Sequence, residues 1–490
     1  MKGENFTSSI SLKTPGNSAI SHKLSEAANG NLNAAAAIPV NITKKQTGAV
    51  TVFTISAAED IYFNFKVHLR SGLQHDDCQF YMPGFWYRRN LRSPEQAPSF
   101  HTSDSWTVRE DRLSAPLTAI YNEKSGDFLS VRRMDKFEHE ALTTHKEGEV
   151  IVSGKTSIGY TGFENAQGES ALSFGFPYQE TPRTYIRKLT LAPPVEAYQF
   201  LKKGESIELK WEIYNGKAPD FSDFIRQMWE YSYDSYRPEP VETGFSDAFV
   251  KETLTHYYTD SYVSDYPLKF YSGVHLLTDD CKPNSRAEIG FVGRVLLNAF
   301  NALEYGQQNN RGDLVTVSYD IFNSYLQHGF TENGFFREFV YFEDNYETPE
   351  LSIRRQSEGI YAMLHFLQYE KNNRRTHAQW ENKLKEILNK FLLLQNEDGS
   401  FPRKFHNDMS IVDESGGSTP SATLPLVMAY RYFNDSRYLN AAKRSADYLE
   451  KEIISKADYF SSTLDANCED KEASLYAATA TYYLALVTKG

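Results

Sequence analysis

The segment ENGFFREF, residues 332–339, returns as EDGSFPRKF, residues 397–405, about 65 residues later. Each copy follows an apolar segment with helical spacing and combines an acid, a glycine, an aromatic residue and a base. Recurrence at a fixed distance is the signature of a repeated supersecondary unit. The pair therefore predicts that the second half of the chain is built from helical hairpins, each closed by a glycine turn and an extended arm.

Apolar residues three and four positions apart continue on both sides of these copies, which is the spacing of one helix face. Some segments, such as SEGIYAMLHFL (357–367) and ATLPLVMAY (422–430), are apolar nearly all round, whereas ENKLKEILNK (381–390) has one polar face. Alternation of buried and half-exposed helices is what a two-layered ring of hairpins requires. We therefore predict an (α/α) toroid of helical hairpins over residues 217–490.

The first half of the chain has a different period. Short stretches of alternating apolar residues, rich in aromatic and β-branched side chains, include AVTVFTI (49–55) and DIYFNFKVHL (60–69). Period two is typical of strands with one buried face. The pattern predicts an antiparallel β-sandwich over residues 46–216. The preceding residues 1–45 are rich in Ser, Ala and Asn and predict a flexible lead-in.

Composition and charge exclude several classes of protein. The 490 residues are enough for two hydrophobic cores. A net charge of −12 argues against a nucleic-acid partner, because binding phosphates requires a basic surface. No apolar run reaches the ~20 residues of a membrane span. The three cysteines, Cys78, Cys281 and Cys468, lack metal-ligand spacing, so we expect neither a metal nor another cofactor.

The two ends of the sequence carry two further expectations. The N-terminal segment MKGENFTSSISLK lacks the apolar core of a signal peptide. We therefore expect either a periplasmic or secreted protein whose leader is absent from this chain, or a cytoplasmic one. A ring of six hairpins needs twelve helices, whereas the sequence shows about nine and ends at TYYLALVTKG (481–490). This difference favours a helical domain that is truncated at its C-terminus.

Polar segments precede the predicted inner helices and would gather on one face of a ring. Hydrolysis of a glycosidic bond needs two carboxyl groups, one as acid and the other as base or nucleophile. Glu358 is the first candidate, because it begins an apolar inner helix, and Glu414 is the second, because its Gly- and Ser-rich loop lets a ligand approach the backbone. Helix capping is the other interpretation of each such acid. Further acids in these segments are Asp398, Glu469, Asp470 and Glu472.

Basic and aromatic side chains complete the predicted site. Arginines near the inner helices can bind the carboxylate of a uronic acid through paired N–H groups, or can pair with the neighbouring acids. The irregular segment 81–116 of the first half supplies aromatic and basic residues that can form sugar subsites or pack between domains. The predicted substrate-binding residues are Trp86, Arg88, Arg89, His101, Trp106, Arg337, Arg354, Arg355, Asp398, Arg403, His406 and Asp470.

Two segments carry a resemblance to known enzymes. VDESGGSTPSATLPLVMAY (412–430) resembles the E-x-S-x-S segment before an inner helix in unsaturated glucuronyl hydrolases, and QNEDGSF (395–401) resembles an arm of (α/α) toroid carbohydrate-active enzymes. SEGIYAMLHFL is a looser match, with Glu358 where those enzymes often place Asp. The sandwich-first layout is more similar to polysaccharide lyases and β-glucuronidase-like toroids. The resemblance implies a glycoside hydrolase acting on uronic-acid-containing oligo- or polysaccharides.

Two other functions remain open from the sequence. A polysaccharide lyase would remove the proton beside a uronate carboxylate with Tyr or His as base, and His101, His275 and His406 are available. A non-catalytic sugar-binding or scaffold protein would keep the aromatic residues without the carboxylate pair. We find no His and Tyr at a spacing that favours elimination, so hydrolysis is the leading interpretation.

Overall fold

The chain divides into two compact units, residues 1–238 and 239–490. The first is a β unit that ends with helix α1 (Phe221–Tyr236), and the second is a unit of helical hairpins. The first unit extends past the predicted boundary at residue 216, because Phe224 of α1 stacks on Tyr121 of the sheet at 5.1 Å. The computed structural model describes residues 5–136, 147–187, 189–272, 285–291, 293–458 and 470–488.

Many strands of the β unit are short and follow each other closely. Within the described ranges, seventeen of them join one hydrogen-bonded sheet, and β16 and β17 pair only with each other. One pairing, between β12 and β18, is parallel. The strands are β1 (Asn5–Lys13), β2 (Ile20–Glu26), β3 (Asn31–Ala34), β4 (Val40–Thr47), β5 (Val50–Ala57), β6 (Ile61–Gln74), β7 (Cys78–Met82), β8 (Trp86–Arg88), β9 (Trp106–Arg109), β10 (Leu117–Asn122), β11 (Asp127–Arg133), β12 (Gly148–Ile151), β13 (Tyr160–Ala166), β14 (Glu169–Phe176), β15 (Gln179–Glu180), β16 (Thr184–Arg187), β17 (Thr190–Ala192), β18 (Val195–Leu201) and β19 (Ser206–Lys217).

This sheet turns back on itself to form two layers. β9, β13, β14, β6 and β1 are successive neighbours in one layer, and β4, β5, β19, β11, β10 and β7 in the other. β2 and β3 link the layers at one edge. Aromatic rings from strands of opposite layers meet between the two layers. The ring centres of Phe53 and Phe65 are 5.1 Å apart, and those of Phe174 and Trp211 are 5.2 Å apart. The predicted antiparallel β-sandwich is therefore confirmed, with the one parallel pairing as an exception.

The prediction of a flexible lead-in over residues 1–45 is wrong for the part that the structure describes, from residue 5 onward. β1 pairs with β6 over nine residues and also with β2. Ile10, Leu24 and Leu32 are buried in the core of the sandwich. Ser8 and Ser11 of β1 are buried as well, so polar residues occupy interior positions here and lower the apolar content without loss of order.

Two isoleucines of these first strands test their contribution to stability. Ile10 is fully buried, whereas Ile20 is 64% exposed. Replacing Ile10 with Ala should lower the free energy of unfolding by about 2–5 kcal/mol, because a buried cavity is left behind. Ile20→Ala, the matched control, should change it by less than about 0.5 kcal/mol. Urea denaturation of both variants measures the difference, and equally small effects would show that β1 is not part of the core.

The second unit consists of helices joined by short strands, and none of its helices in the described ranges is long and apolar enough to cross a membrane. The elements are α2 (Asp247–Asp260), β20 (Tyr262–Val263), β21 (Phe270–Tyr271), β22 (Arg286–Glu288), α3 (Val295–Gln308), α4 (Gly312–His328), β23 (Phe339–Tyr341), β24 (Tyr346–Glu347), β25 (Glu350–Ser352), α5 (Ile353–Asn372), α6 (Ala378–Leu394), β26 (Lys404–His406), β27 (Ile411–Asp413), α7 (Thr419–Phe433), α8 (Ser436–Leu449) and α9 (Lys471–Thr488).

The helices of this unit form two layers. α3, α5, α7 and α9 pack side by side in that order, and α4, α6 and α8 pack outside them. The inner helices α5 and α7 are buried on most of their surface, whereas the outer helix α8 buries a single stripe. This is the arrangement of hairpins in an (α/α) toroid, so the predicted fold class is confirmed. Sequence periodicity missed α2, which buries only Thr255.

The two copies of the repeated segment adopt the same turn. Gly334 and Gly399 have φ of 75° and 92°, in the left-handed region that favours glycine. Each donates its N–H to the carbonyl three residues earlier, of Thr331 or Asn396. The glycines are therefore required by the turn itself, which follows an outer helix in both hairpins.

The arginines of the two arms also make equivalent contacts. Arg337 donates to Glu347 at 2.6 Å, and Arg403 donates to Asp413 at 2.6 Å. Both acids lie ten residues after their arginine and on the next strand of the arm. The sequence repeat is therefore a structural repeat, in which a charged pair closes each arm.

Alanine at the two turn glycines should have unequal effects. Both substitutions place an L side chain at positive φ, which costs about 1–2 kcal/mol. A Cβ on Gly399 would lie 2.1 Å from the Arg444 backbone oxygen of α8, whereas one on Gly334 would approach only the flexible end of Lys390 at 3.2 Å. Gly399→Ala should therefore lower the free energy of unfolding clearly more than Gly334→Ala in chemical denaturation. Equal losses would contradict the turn geometry described for the second copy.

Candidate active site

Charged side chains from three inner helices meet near the N-terminal ends of those helices. Arg354 and Glu358 lie one turn apart on α5, and Glu472 and Tyr476 lie one turn apart on α9. Arg294 immediately precedes α3. These five residues are called the Glu358 cluster below, and three of them, Glu358, Arg354 and Glu472, were named as candidates from the sequence.

The carboxylate of Glu358 is held from several sides. Its Oε1 accepts a hydrogen bond from the Tyr476 hydroxyl at 2.6 Å, and its Oε2 accepts from the backbone N–H of Phe291. Arg294 Nη2 and Arg354 Nε each lie 3.5 Å from Oε1. Only 12% of the Glu358 side chain is exposed. Because all these partners are donors, the carboxylate is fixed in place as an acceptor.

Arg354 links two carboxylates. Its side chain is fully buried, and it donates from Nη2 to Glu472 Oε2 and lies with Nε beside Glu358. Since Nε and Nη2 share one edge of the guanidinium, one arginine holds both acids. The Phe291 ring covers the guanidinium, with 5.1 Å from the ring centre to Cζ.

The loop before α3 makes room for Glu358. A Cβ on Gly290 would lie 2.3 Å from Glu358 Oε2, so a side chain larger than that of glycine does not fit. Phe291 and Arg294 have φ of 58° and 38°, values that L side chains rarely adopt. Strained backbone of this kind is concentrated at ligand-binding and catalytic sites. Here it directs the Phe291 N–H at the carboxylate.

A cavity of about 200 Å³ lies between α5, α7 and α9, and its lining includes Tyr361, His365, Arg431 and Tyr483. Tyr361 and His365 follow Glu358 by three and seven residues, so they lie on the same face of α5. The cavity therefore lies on the C-terminal side of Glu358 along α5, and the described residues that line it do not include the Glu358 cluster. Burial lowers the pKa of His365 below its usual value. Its neutral imidazole can therefore both donate to and accept from a hydroxyl group at neutral pH.

Glu338 is a second buried carboxyl group at the start of α5. It accepts from the Ser352 backbone N–H at 2.6 Å, the Ser352 hydroxyl at 3.1 Å and the Gln356 amide at 3.0 Å. Arg355 Nη1 lies 3.9 Å away. Burial raises the pKa of Glu338 to about 7, although Arg355 opposes that shift. Since its side chain has no exposed surface, Glu338 joins the arm to α5 rather than contacting a substrate.

Glu338 should make stability depend on pH. Its folded pKa of about 7 lies above the ordinary value of 4.5, so ionisation costs more in the folded than in the unfolded protein. As pH rises from about 4.5 to about 7, the wild type should lose a few kcal/mol relative to Glu338→Gln, which keeps the neutral side chain. Denaturation of both proteins at about pH 5 and about pH 8 measures this loss. A difference independent of pH would contradict the shift.

The structure contradicts the predicted role of two tryptophans in sugar binding. Trp86 and Trp106 are fully buried in the core of the sandwich, with ring centres 5.9 Å apart. Trp86 also meets Phe163 edge-to-face at 5.0 Å. Segment 81–116 therefore contributes β8, β9 and core residues, and these rings cannot line a cavity. Composition suggested a surface loop because large aromatic residues suit a core and a sugar platform equally.

Three other predicted residues of this segment stabilise the β unit. Arg88 pairs with Glu123 at 3.2 Å. Arg89 donates from Nε to the Cys78 carbonyl at 3.3 Å, and His101 Nε2 bonds a backbone carbonyl at 2.8 Å. These contacts are the local ones that a twisted, irregular strand connection needs. They do not support the predicted role in substrate binding.

The remaining predicted residues lie in the helical unit. Arg337 and Arg403 are paired with acids on their own arms, as the alternative interpretation expected, and Arg355 lies near Glu338. Asp398 accepts from the N–H and hydroxyl of the serine two residues later and so stabilises the turn of its arm, whereas Asp470 accepts from a backbone N–H in the first turn of α9 and caps that helix.

Glu414 and His406 are exposed residues of the small sheet β25–β27 and the loop that follows it. β25 leads directly into α5, the helix of Glu358, and β27 ends at the residue before Glu414. A shared cavity for Glu358 and Glu414 stays a prediction.

Arg294, Phe291 and Tyr476 were missed in the sequence. Apolar residues at helical spacing over residues 286–306 predicted one continuous helix, although a loop precedes α3. The glycines at positions 290 and 293 were the sequence signal for that loop. Tyr476 follows Glu472 by four residues, which places both on one helix face.

No group of three His, Cys, Asp or Glu side chains within the described ranges is placed to hold a metal ion. His275, Cys281, Cys468 and Glu469 lie outside those ranges.

Comparison with known proteins reveals similarity of fold only. No protein-family model and no curated protein matches the sequence. An unsaturated glucuronyl hydrolase from Bacillus sp. GL1 is 16% identical with a TM-score of 0.37, over 48% of this chain and 66% of that chain, just under two thirds of its length. A possible member of the GH105 family from Salmonella enterica is 14% identical with a TM-score of 0.39, over 54% of this chain and 70% of that chain. A polysaccharide lyase is 9% identical with a TM-score of 0.42, over 99% of this chain and 83% of that chain. The chain is thus distantly similar in structure to (α/α) toroid carbohydrate-active enzymes.

Proposed function

We propose that this protein is a glycoside hydrolase acting on uronic-acid-containing oligo- or polysaccharides. The observation that carries the proposal is the Glu358 carboxylate, which is held by Tyr476, the Phe291 N–H and two arginines near the start of an inner helix. A cavity of about 200 Å³ has room for about one sugar ring. A fixed carboxylate on the helix that also lines such a cavity supplies one of the two carboxyl groups that hydrolysis of a glycosidic bond needs.

Glu358 is the base or nucleophile in this proposal, and Glu414 is the acid. The groups around Glu358 all donate hydrogen bonds, which suits a group that accepts a proton or attacks carbon. Glu414 is exposed and follows the small sheet that leads into α5. Glu472 shares Arg354 with Glu358, and its role is to position that guanidinium.

The cations for a uronate carboxylate are Arg294 and Arg431. Arg294 is 37% exposed in the Glu358 cluster, and Arg431 lines the cavity. They replace the predicted Arg337 and Arg403, whose guanidinium groups bind acids on their own arms. A cation near the cavity, rather than on an arm, is what recognition of an acidic sugar ring requires.

A polysaccharide lyase is the second candidate, and Tyr476 is the residue that favours it. A tyrosine beside arginines is one arrangement that removes the proton next to a uronate carboxylate. Burial, followed by the negative charge of Glu358, raises the pKa of Tyr476 well above its usual value. The phenolate needed for a base is therefore disfavoured, and Tyr476 suits a donor to Glu358. Hydrolysis remains the preferred proposal.

Glu358→Gln tests the proposal directly. The change removes the charge and keeps the shape, and Arg354 keeps its pair with Glu472, so the variant should fold, as circular dichroism would show, while kcat falls by about 10²–10⁴. Wild type and variant are incubated with a panel of uronic-acid oligosaccharides while reducing ends and ultraviolet absorbance are followed together. New reducing ends without absorbance indicate hydrolysis, and falling absorbance indicates hydrolysis of an unsaturated end. Rising absorbance indicates elimination and would overturn the proposal.

Glu347→Gln is the matched control, because Glu347 also pairs with an arginine of the helical unit but lies on an arm. Its turnover should equal that of the wild type. Glu414→Gln should be slow as well if Glu414 is the acid. Near-normal turnover of a folded Glu358→Gln variant rejects its catalytic role. Tight binding without turnover by the wild type would indicate a sugar-binding protein instead.

A further inference from the structure

The β unit contains a cavity of about 620 Å³. Its lining includes the buried rings of Phe63 and Phe176 and the half-exposed ring of Phe200. Cavities of this size bind ligands rather than single ions or waters. The volume gives room for a short oligosaccharide rather than a single sugar ring.

Cationic side chains line this cavity. Arg133 is nearly fully buried and is held by Asp135 at 2.7 Å and Glu110 at 3.2 Å. Lys155 is exposed, and Lys210 pairs with Glu208 at 3.2 Å. An exposed lysine–glutamate pair is worth little, so Lys210 can exchange Glu208 for a ligand carboxylate at small cost.

The lining carries four cations and three carboxylates, and Glu110 behind Arg133 adds a fourth carboxylate, so the cavity is close to neutral. Its cations are Arg133, Lys136, Lys155 and Lys210, and its carboxylates are Asp135, Glu205 and Glu208. The whole chain has a net charge of −12, so this concentration of cations in one cavity is unlike the average of the molecule. The lining suits an anion of moderate charge density and not a nucleic acid, which needs an extended basic surface.

Phe200 supplies a flat apolar face. Its ring is 36% exposed and packs on Tyr62 with ring centres 5.0 Å apart. The neighbouring Gln199 is buried and held rigid, since it accepts from the Thr156 N–H at 3.1 Å and donates to the Phe200 carbonyl at 3.2 Å. An exposed ring on a rigid support stacks against the apolar face of a sugar.

We propose that this cavity is a binding site for an acidic oligosaccharide, formed entirely by residues of the β unit. Sugar carboxylates pair with Lys155 and Lys210, and one sugar ring stacks on Phe200. The site needs no reaction at Glu358, so it stands whether or not the helical unit is a hydrolase. Its consequence is that the protein holds an acidic glycan at a second place, independent of cleavage.

The test measures binding of trigalacturonate and of its neutral counterpart galactotriose to the full chain by isothermal titration calorimetry. The Glu358→Gln background prevents consumption of the ligand. Two variants change the cavity: Phe200→Ala, and the double variant Lys155→Gln with Lys210→Gln. The matched control is Lys23→Gln, because Lys23 is an exposed lysine of strand β2. Circular dichroism and the melting temperature show that each variant is folded.

The double lysine variant and Phe200→Ala should each weaken trigalacturonate binding at this site about tenfold or more. Lys23→Gln should leave it unchanged, and galactotriose should bind weakly to all proteins. In a Glu358 wild-type background, the cavity variants should keep the kcat of the parent on a short substrate. Unchanged trigalacturonate affinity in both cavity variants, or equally tight binding of galactotriose, would overturn the proposal. A loss of turnover caused by Glu358→Gln alone would bear on the proposed hydrolase activity and not on this binding site.

Discussion

A hydrogen bond between each arm and the next inner helix determines the arrangement of the helical unit. The Phe336 N–H donates to Gln356 of α5 at 3.0 Å, and the Phe401 N–H donates to Thr419 of α7 at 2.9 Å. Both phenylalanines lie two residues after a turn glycine, so the turn sets the direction of the arm and the bond sets the start of the next helix. Because these donors and acceptors are buried, leaving either unpaired would cost about 1–3 kcal/mol. The helix starts that carry the proposed site are thus positioned by the repeat rather than by contacts of the site itself.

Charge balance explains how a fully buried guanidinium is tolerated at that site. Arg354 and Arg294 are matched by Glu358 and Glu472, so the Glu358 cluster contains two cations and two anions. Removing one partner of a buried pair is more damaging than the pair is stabilising, because a charge is left without compensation. The same balance holds Glu358 in one orientation, and a preorganised carboxylate needs no rearrangement when a substrate arrives. The structural role of the cluster and the catalytic role proposed for it therefore rest on the same contacts.

The sequence predicted features that repeat locally and missed those that depend on distant pairing. Periods of two and 3.6 gave the sandwich and the hairpins, and the start of an apolar helix identified Glu358. The first strands were missed because β1 is stabilised by β6, whose residues lie more than 40 positions later. Tyr476 is separated from Glu358 by 118 residues, and no local pattern connects them. Trp86 and Trp106 were misplaced since composition does not distinguish a buried ring from an exposed one.

An acidic ligand for an acidic protein is consistent with how charge acts over distance. At physiological ionic strength the Debye length is about 8 Å, so most of the net charge of −12 is screened from a ligand inside a cavity. The field that such a ligand meets is set by the few groups lining the cavity, namely Arg431 in one unit, and Arg133, Lys155 and Lys210 in the other. Net charge then disfavours nonspecific binding of polyanions to the outer surface, while the lined cavities remain attractive. The proposed preference for an acidic glycan over a nucleic acid rests on that difference between surface and cavity.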